Sequence, residues 1–589
     1  MSASGEMTAM LSEYKNIINA DPNAPLWLPD LSRVFSLCEK RHELIIRQLG
    51  HGGESFDYPC PLPVWCDEEE LLLVRQYLYA GVFNLLSARG AREIELYYDL
   101  DCAELSALIA SLDEAFGLHT RPRGGFGKVI NIAERISRAH EGSSFAFTSK
   151  PISAYRPLPA EESGETPDLS AALRRIAKKA DGLCLVGIDV GGTDIKLAAS
   201  KRGRLICLKE YDWNPAASDT AEGIIGPILL LTRLMRACTA CEKGGEVPNY
   251  LYDALRKDAS DEEISEAVER AESELGERID VLHGIGLSFP DIVIDDRIVG
   301  GETPKTDGMR KNTALDYETE FSKLRELRGT LLRLCRPGGR VRLANDGNIA
   351  AFTAAMELAQ GDEAAAVKSG VVAHTLGTDL GSGWLKPDGT IPPMPLEMYD
   401  FIIDVGSRNS ALLPPEDLRS TRNENSGLAG ARRYMGQSAA FRIAEELEPA
   451  LLEGFTATDG DLLFIPTSPR DLRKPCLEHL MDKAQNGDPA AEETFRRIGE
   501  HLAVLTEEMD GIIHPESRER FLYGRFVKSR RCFELICEGF SRRETGITLR
   551  AADENLACTP LMRQLAENEG FTVAQFGQAV GAIYFALLS

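Results

Sequence analysis

Asp189-Val190-Gly191-Gly192-Thr193 is the segment whose residue types and spacing speak most directly of chemistry. An apolar run, Leu185 to Ile188, enters it, and the alternating apolar residues Ile195 and Leu197 leave it, which predicts a β-hairpin. Two glycines tolerate positive φ and carry no Cβ, so backbone N–H groups and the Thr193 hydroxyl can converge on phosphate oxygens. Asp189, ending the first strand, is then placed to bind Mg²⁺ directly or through water, because that hard cation takes carboxylate and water oxygens. Taken alone, the segment is also an ordinary Gly-Gly hairpin turn, so distant partners must decide.

Four further segments supply such partners. Val341-Arg342-Leu343-Ala344-Asn345-Asp346-Gly347-Asn348 precedes an Ala-rich helix. His374-Thr375-Leu376-Gly377-Thr378-Asp379-Leu380-Gly381-Ser382-Gly383 reads as a second glycine hairpin. Asn486-Gly487-Asp488-Pro489 opens an amphipathic helix that runs through Leu502 and Leu505 to His514-Pro515, and Gly577-Gln578-Ala579-Val580-Gly581-Ala582 lies in a closing helix. In this order the segments resemble the ROK family of sugar kinases and sugar-responsive repressors, within the actin/hexokinase/Hsp70 superfamily, over residues 183 to 589.

That resemblance implies a two-lobed α/β fold of the ribonuclease-H-like, actin/hexokinase type and an ATP-dependent, Mg²⁺-dependent phosphorylation of a sugar hydroxyl. Asp189 would serve the metal; Gly191, Gly192, Thr193 and Lys196 would hold one side of the triphosphate, and Gly377 with Thr378 the other. Gly524, in Phe521-Leu522-Tyr523-Gly524-Arg525-Phe526, stands in the adenosine region, where the family usually has two or three glycines. Asp346 is the implied general base, since phosphoryl transfer to a hydroxyl needs an acceptor for the departing proton. It is equally a candidate helix N-cap. Ser288, Lys305, Asn345 and Glu397 fall at the implied sugar-binding positions.

The chain also departs from the family. Asp291 replaces the glycine of the S-x-P-G loop, Lys305 stands near an expected Pro-Asn pair, and Asp400 replaces the histidine after Glu397. That histidine normally ligates zinc with a tight cysteine cluster; no C-x-C-G-x-x-G-C is present, so no structural zinc is expected. Asp194 and Asp379 put negative charge near the phosphates, favourable only where metal or Lys196 offsets it.

These motifs need domains to position them. The chain has 589 residues, enough for three or four domains, and 43% of them are hydrophobic. Lys and Arg number 66 against 91 Asp and Glu, a net charge of −25, which disfavours nucleic acid and anionic membranes as partners. No basic n-region with an apolar core opens the sequence, and the run Ile224 to Met235 is short for a bilayer and carries Arg233. A cytoplasmic protein is expected. Thirteen cysteines are scattered singly, which suits reduced thiols.

Residues 1–150 form an N-terminal unit outside the resemblance, small and α/β or mostly helical. It has helical spacing over Glu69–Ser87 and Ala103–Phe116, a strand at Glu93–Tyr98, and a loop at Arg123–Lys128. A Pro-, Glu- and Ser-rich linker and a helix occupy 151–180. The first lobe spans 181–350 with an acidic helical insertion at about 242–280, and the second lobe spans 351–589, its last helix returning to the first. A second function fits the same residues: a catalytically silent, ROK-like sugar sensor. DNA binding is disfavoured by 21 acidic against 14 basic residues in 1–150. Lys305 and Asp400 leave an amino sugar or polyol open as acceptor, and a homo-oligomer is compatible with the sequence.

Overall fold

The computed structural model describes residues 21–140, 144–159, 168–301, 303–377, 380–423, 428–552 and 556–588. Its N-terminal unit contains α1 (Leu28–Leu37), β1 (Ile45–Leu49), β2 (Ser55–Pro59), α2 (Glu68–Arg89), β3 (Glu93–Tyr98), α3 (Ala103–Ala115), α4 (Gly127–Ala139) and β4 (Ala146–Pro151). The four strands form one sheet in the order β2-β1-β3-β4, with only β3 and β4 parallel. The unit is therefore α/β. Helix α2 starts where the Asp67 side chain accepts the Glu70 N–H at 2.9 Å, and Glu68, Glu69 and Glu70 in its first turn suit the helix dipole.

Two boundaries differ from expectation. The Arg123–Lys128 segment is a loop only to Phe126, because α4 begins at Gly127 and takes Lys128 into its first turn. The apolar spacing of Val129, Ile132, Ala133 and Ile136 accounts for that start. The expected linker is also shorter: β4 runs to Pro151, Arg47 donates to the Arg156 carbonyl at 2.6 Å, and the Leu158 N–H reaches Asp57 at 3.4 Å. Residues 160–167 of the expected linker lie outside the described residues.

After helix α5 (Leu169–Ala180) comes a five-stranded sheet of β5 (Cys184–Val190), β6 (Asp194–Lys201), β7 (Arg204–Asp212), β8 (Gly284–Phe289) and β9 (Arg340–Asn345). Their order is β9-β8-β5-β6-β7; β5, β8 and β9 run parallel, and β6 is antiparallel to both neighbours. Between β7 and β8, α6 (Glu222–Cys241) and α7 (Asp261–Leu275) cover the sheet. The acidic α7 is opened by a Ser260–Glu263 capping box and buries Ile264, Val268 and Ala271 while its charges face out. The second lobe repeats the scheme. After α8 (Asp346–Gln360), strands β10 (Val371–Leu376), β11 (Leu380–Leu385), β12 (Glu519–Gly524) and β13 (Thr548–Ala551) stand in the order β11-β10-β12-β13, with β11 antiparallel and the others parallel. This is the order of the first sheet with the counterpart of its edge strand β7 missing.

Helix α9 (Pro489–Ile513) braces the second lobe, and α10 (Val573–Phe585) packs on β5, β6 and β8 of the first as well as on α8. The N-terminal unit and the second lobe share one continuous hydrophobic core: Phe35, Leu78 and Phe83 belong to the same cluster as Phe401, Phe495 and Leu502. Two helices, α2 and α6, are long and apolar enough to cross a membrane by length and composition. In α6 the helical run extends beyond the apolar stretch visible in the sequence. Most of the apolar stretch of each is buried in the protein core, 72% and 61%, respectively.

Several titratable groups sit inside this core, and they set a pH window for stability. Burial pushes the imidazoles of His374 and His501 down to about 3 and the carboxyls of Glu357 and Glu508 up to about 7. The histidines stay neutral in the fold but take protons in the unfolded chain below pH 6.5, so stability falls as pH drops from there toward 3. The glutamates are neutral in the fold, and that contribution is lost as pH rises from the ordinary carboxyl value of 4.5 through 7. Thermal melts from pH 4 to 9 are expected to peak between these limits, and Glu508→Gln is expected to flatten the alkaline side.

Candidate active site

The strand ends of the first sheet bring the predicted residues together. Parallel pairing sets Ser288 beside Asp189 and Phe289 beside Asn345, so three strands deliver polar side chains to one edge. Ligand sites in α/β sheets form at that carboxyl edge. The Ser288 hydroxyl donates to Asp189 Oδ1 at 2.8 Å, which gives Ser288 a partner within the protein. Burial raises the Asp189 carboxyl to about 6; Ser288 and Lys196 counter the shift, while Asp346 and Asp194 add to it. Two carboxylates, Asp189 and Asp346, thus lie within each other's field. This donor set fits Mg²⁺, which keeps waters and takes one or two carboxylates with substrate phosphates.

Asn345 is the N-cap of α8: its Oδ1 accepts the Gly347 N–H at 2.9 Å, and its Nδ2 donates to the Asp291 carbonyl at 3.1 Å. The cap role proposed for Asp346 therefore falls to Asn345. Among the described residues, Asp346, the first residue of the helix, receives only the adjacent Gly347 N–H at 2.9 Å, which leaves carboxylate lone pairs for other work. The start of α8 is pressed on β11. A Cβ on Gly383 would lie 1.9 Å from the Gly347 carbonyl oxygen, so glycine alone permits this approach, and it sets Asp346 beside the second hairpin.

In the first hairpin, Gly191 N–H donates to the Asp194 carbonyl at 2.8 Å, and Trp213 bonds the Gly191 and Thr193 carbonyls at 3.1 Å each. Positive φ, expected at this turn, is a correction: neither Gly191 nor Gly192 adopts it. What Gly191 supplies is room, since a Cβ there would stand 2.9 Å from two Asp194 oxygens. Asp194 forms an ion pair with Lys196, so its charge is offset within the hairpin. Lys305 donates to the Pro290 carbonyl at 3.1 Å, and its Cε lies 3.6 Å from where a Gly192 Cβ would be. It borders the hairpin as much as any acceptor pocket.

The second hairpin is described up to Gly377; Thr378 and Asp379 lie outside the described residues. The Gly377 carbonyl accepts the Gln437 N–H at 3.0 Å, and Gln437 Nε2 donates to the Arg473 carbonyl at 3.2 Å. Gly524 pairs with Leu376 in the neighbouring strand and has φ 103, and a Cβ on it would be 2.0 Å from the Leu376 carbonyl oxygen. Right after it come Arg525 and Lys528. Partial burial and the charges of Arg525, Lys474 and Lys196 push the Lys528 ammonium below its ordinary value. Lys196 comes from the first lobe and the other three from the second, so cations of both lobes converge beside the hairpins.

Glu397 stands apart from the Asp189–Asp346 pair. It is buried, and burial lifts its carboxyl to about 8; Lys128 opposes that rise, while Asp400 and Asp291 add to it. Asp291 is 5% exposed, its Oδ1 accepts the Ile292 N–H at 2.8 Å and the Gly301 N–H at 2.5 Å, and its Oδ2 has no partner among the described residues. Sequence reasoning missed Lys128, whose partner is 272 positions away, and Lys474, Arg525 and Lys528, which carry no motif.

No family model matches the chain, and no curated protein matches it. Among solved structures it is similar to a ROK family glucokinase from Streptomyces griseus in complex with glucose and AMPPNP, at 17% identity over 69% of this chain and 100% of that one, TM-score 0.36. It is similar to a ROK hexokinase from Thermus thermophilus at 17% identity over 69% and 99%, TM-score 0.35. A ROK family transcriptional regulator, a homolog of the E. coli MLC protein, matches at 12% identity over 69% and 80%, TM-score 0.37. The two sheets, which share one strand order and are joined by α8 and α10, give the chain the two-lobed ribonuclease-H-like fold of the actin and hexokinase type, with an additional N-terminal α/β domain.

Proposed function

We propose that this chain is a ROK-like, cytoplasmic sugar kinase that transfers a phosphoryl group from ATP to a hydroxyl of a sugar or polyol. The observation that carries the reading is the meeting of Asp189 and Asp346 at the sheet edge, between two glycine hairpins and a set of cations from both lobes. Asp346 takes the proton from the acceptor hydroxyl as its oxygen forms a bond to the γ-phosphorus; the bond from that phosphorus to the β,γ-bridging oxygen breaks, and ADP leaves. Asp189 would hold Mg²⁺, which supplies charge neutralisation at the phosphates. Backbone N–H groups near Gly192 and Gly377, with Lys196, Lys474, Arg525 and Lys528, bind the triphosphate. Ser288 keeps Asp189 in place, and Glu397, neutral near pH 7, can donate a hydrogen bond to an acceptor hydroxyl.

Because the phosphate tail meets several cations, donor binding is expected to weaken with salt. Lys528→Ala should raise the KM for ATP by roughly three- to tenfold and reduce its salt dependence, with the acceptor KM unchanged. Steady-state kinetics at two ionic strengths checks this.

A catalytically silent sugar sensor is the second reading. It draws on Asp194, a carboxylate inside the first phosphate hairpin that occupies Lys196, and on Gly524, which stands alone where the resemblance implies two or three glycines beside adenosine. ADP release with Mg²⁺-ATP across hexoses, N-acetylhexosamines and polyols separates the two. Turnover with any acceptor supports the kinase; sugar binding without turnover supports the sensor.

A further inference from the structure

Helix α4 belongs to the N-terminal domain, yet it touches both lobes. Toward the first lobe, Ile132 and Ile136 cluster with Ile292, Ile294 and Val299, just beyond Asp291. Arg135 bonds Glu318 at 2.7 Å and the Gly300 carbonyl at 3.4 Å. Toward the second lobe, Lys128 has no exposed side-chain surface; it forms an ion pair with Asp400, whose side chain is 1% exposed, and lies 3.3 Å from the Tyr399 hydroxyl. The other Asp400 oxygen accepts Asn423 Nδ2 at 2.9 Å.

The neighbouring helix α2 grips the same segment by its backbone. The Leu396 N–H donates to the Ala88 carbonyl and the Glu397 N–H to the Ser87 carbonyl, both at 3.0 Å. The Asn84 amide brackets Ile402, donating to its carbonyl at 2.9 Å and accepting its N–H at 2.8 Å. Leu396 itself has φ 54, a conformation that a non-glycine residue keeps only where its surroundings over-determine it. The surroundings here are those N-terminal backbone bonds and the Lys128–Asp400 pair on either side of Glu397.

We propose that the N-terminal domain is a working wall of the acceptor side of the cleft and that Lys128 is a positioning residue, which fixes Glu397 and its segment through Asp400. The identification of this side with the acceptor rests on the kinase reading; the positioning does not. A fully buried ion pair contributes little net stability over an apolar pair of the same shape, so its physical value lies in fixing one geometry among several. A neutral, hydroxyl-rich acceptor meets a site of this kind, because Glu397 and Asp291, whose Oδ2 has no partner among the described residues, come from opposite lobes while the Lys128 ammonium is already neutralised by Asp400.

The double variant Lys128→Met/Asp400→Asn tests this in the full chain, since it removes both charges together and avoids an uncompensated buried carboxylate. Hydrogen exchange of residues 394–404 is expected to accelerate on the order of tenfold, with β10 and α9 unchanged. The acceptor KM should rise on the order of tenfold, with kcat and the ATP KM within about threefold of wild type. Exchange and acceptor KM that both stay at wild-type values overturn the proposal. So does exchange that accelerates uniformly through α9, for then the pair is only a core contact. Local acceleration in 394–404 with no acceptor bound or phosphorylated by either protein upholds the positioning and removes the kinase reading instead.

Discussion

Asp346→Asn is expected to lower the rate of ADP release at saturating acceptor by about 10²- to 10⁴-fold, the usual contribution of a positioned general base. The fold should hold, because Asn345 and not Asp346 caps α8, and an asparagine oxygen can still accept the adjacent Gly347 N–H. Removing the charge also relieves its repulsion of Asp189, so no loss of stability is expected. Loss of turnover with an unchanged melting temperature is therefore the diagnostic pair. Wild-type turnover in Asp346→Asn would remove the carboxylate from the mechanism. Equal losses in kcat and kcat/KM are expected, since the proton is taken only in the transition state.

Lys128→Met is expected to destabilise the protein by about 3–5 kcal/mol, the range seen when one partner of a buried pair is removed. The substitution removes the ion-pair partner of Asp400, whose side chain is held at 1% exposure with Asn423 on its other oxygen. Chemical denaturation monitored by tryptophan fluorescence should show the loss, and adding Asp400→Asn should restore most of it. The loss should extend beyond α4, because the N-terminal domain and second lobe share one hydrophobic core. A Lys128→Met protein with wild-type stability would mean that the ammonium is not the partner that holds Asp400.

Much of the candidate site was legible from residue types. Asp189 at a strand end, the Gly-Gly turn and Asn345-Asp346 ahead of an Ala-rich helix each carry a local signal, because strand, turn and helix start depend on neighbours within a few residues. The same locality explains the accuracy at α2, β3 and α3. It also explains the errors. A glycine pair reads as positive φ, whereas Gly191 answers to the crowding of Asp194 oxygens, which only the closed hairpin creates. Arg123–Lys128 reads as a loop because of its glycines, although the apolar spacing that starts the helix at Gly127 lies just downstream; only the surface that spacing packs on, Ile292, Ile294 and Val299, is distant.

The residue types and order of the glycine hairpins and the Asn345-Asp346 helix start determined the candidates for phosphate and proton chemistry, and the two-lobed architecture followed from the family resemblance those segments carry. Tertiary structure alone decided which of them meet, since Ser288 and Asp189 are 99 residues apart, and Asn84 and Ile402 318. It alone joined the N-terminal domain to the second lobe and buried Lys128 beside Asp400. A buried charge is stable only against a partner in the same low-dielectric space, and the identity of that partner is fixed by packing between distant segments, which no local pattern encodes.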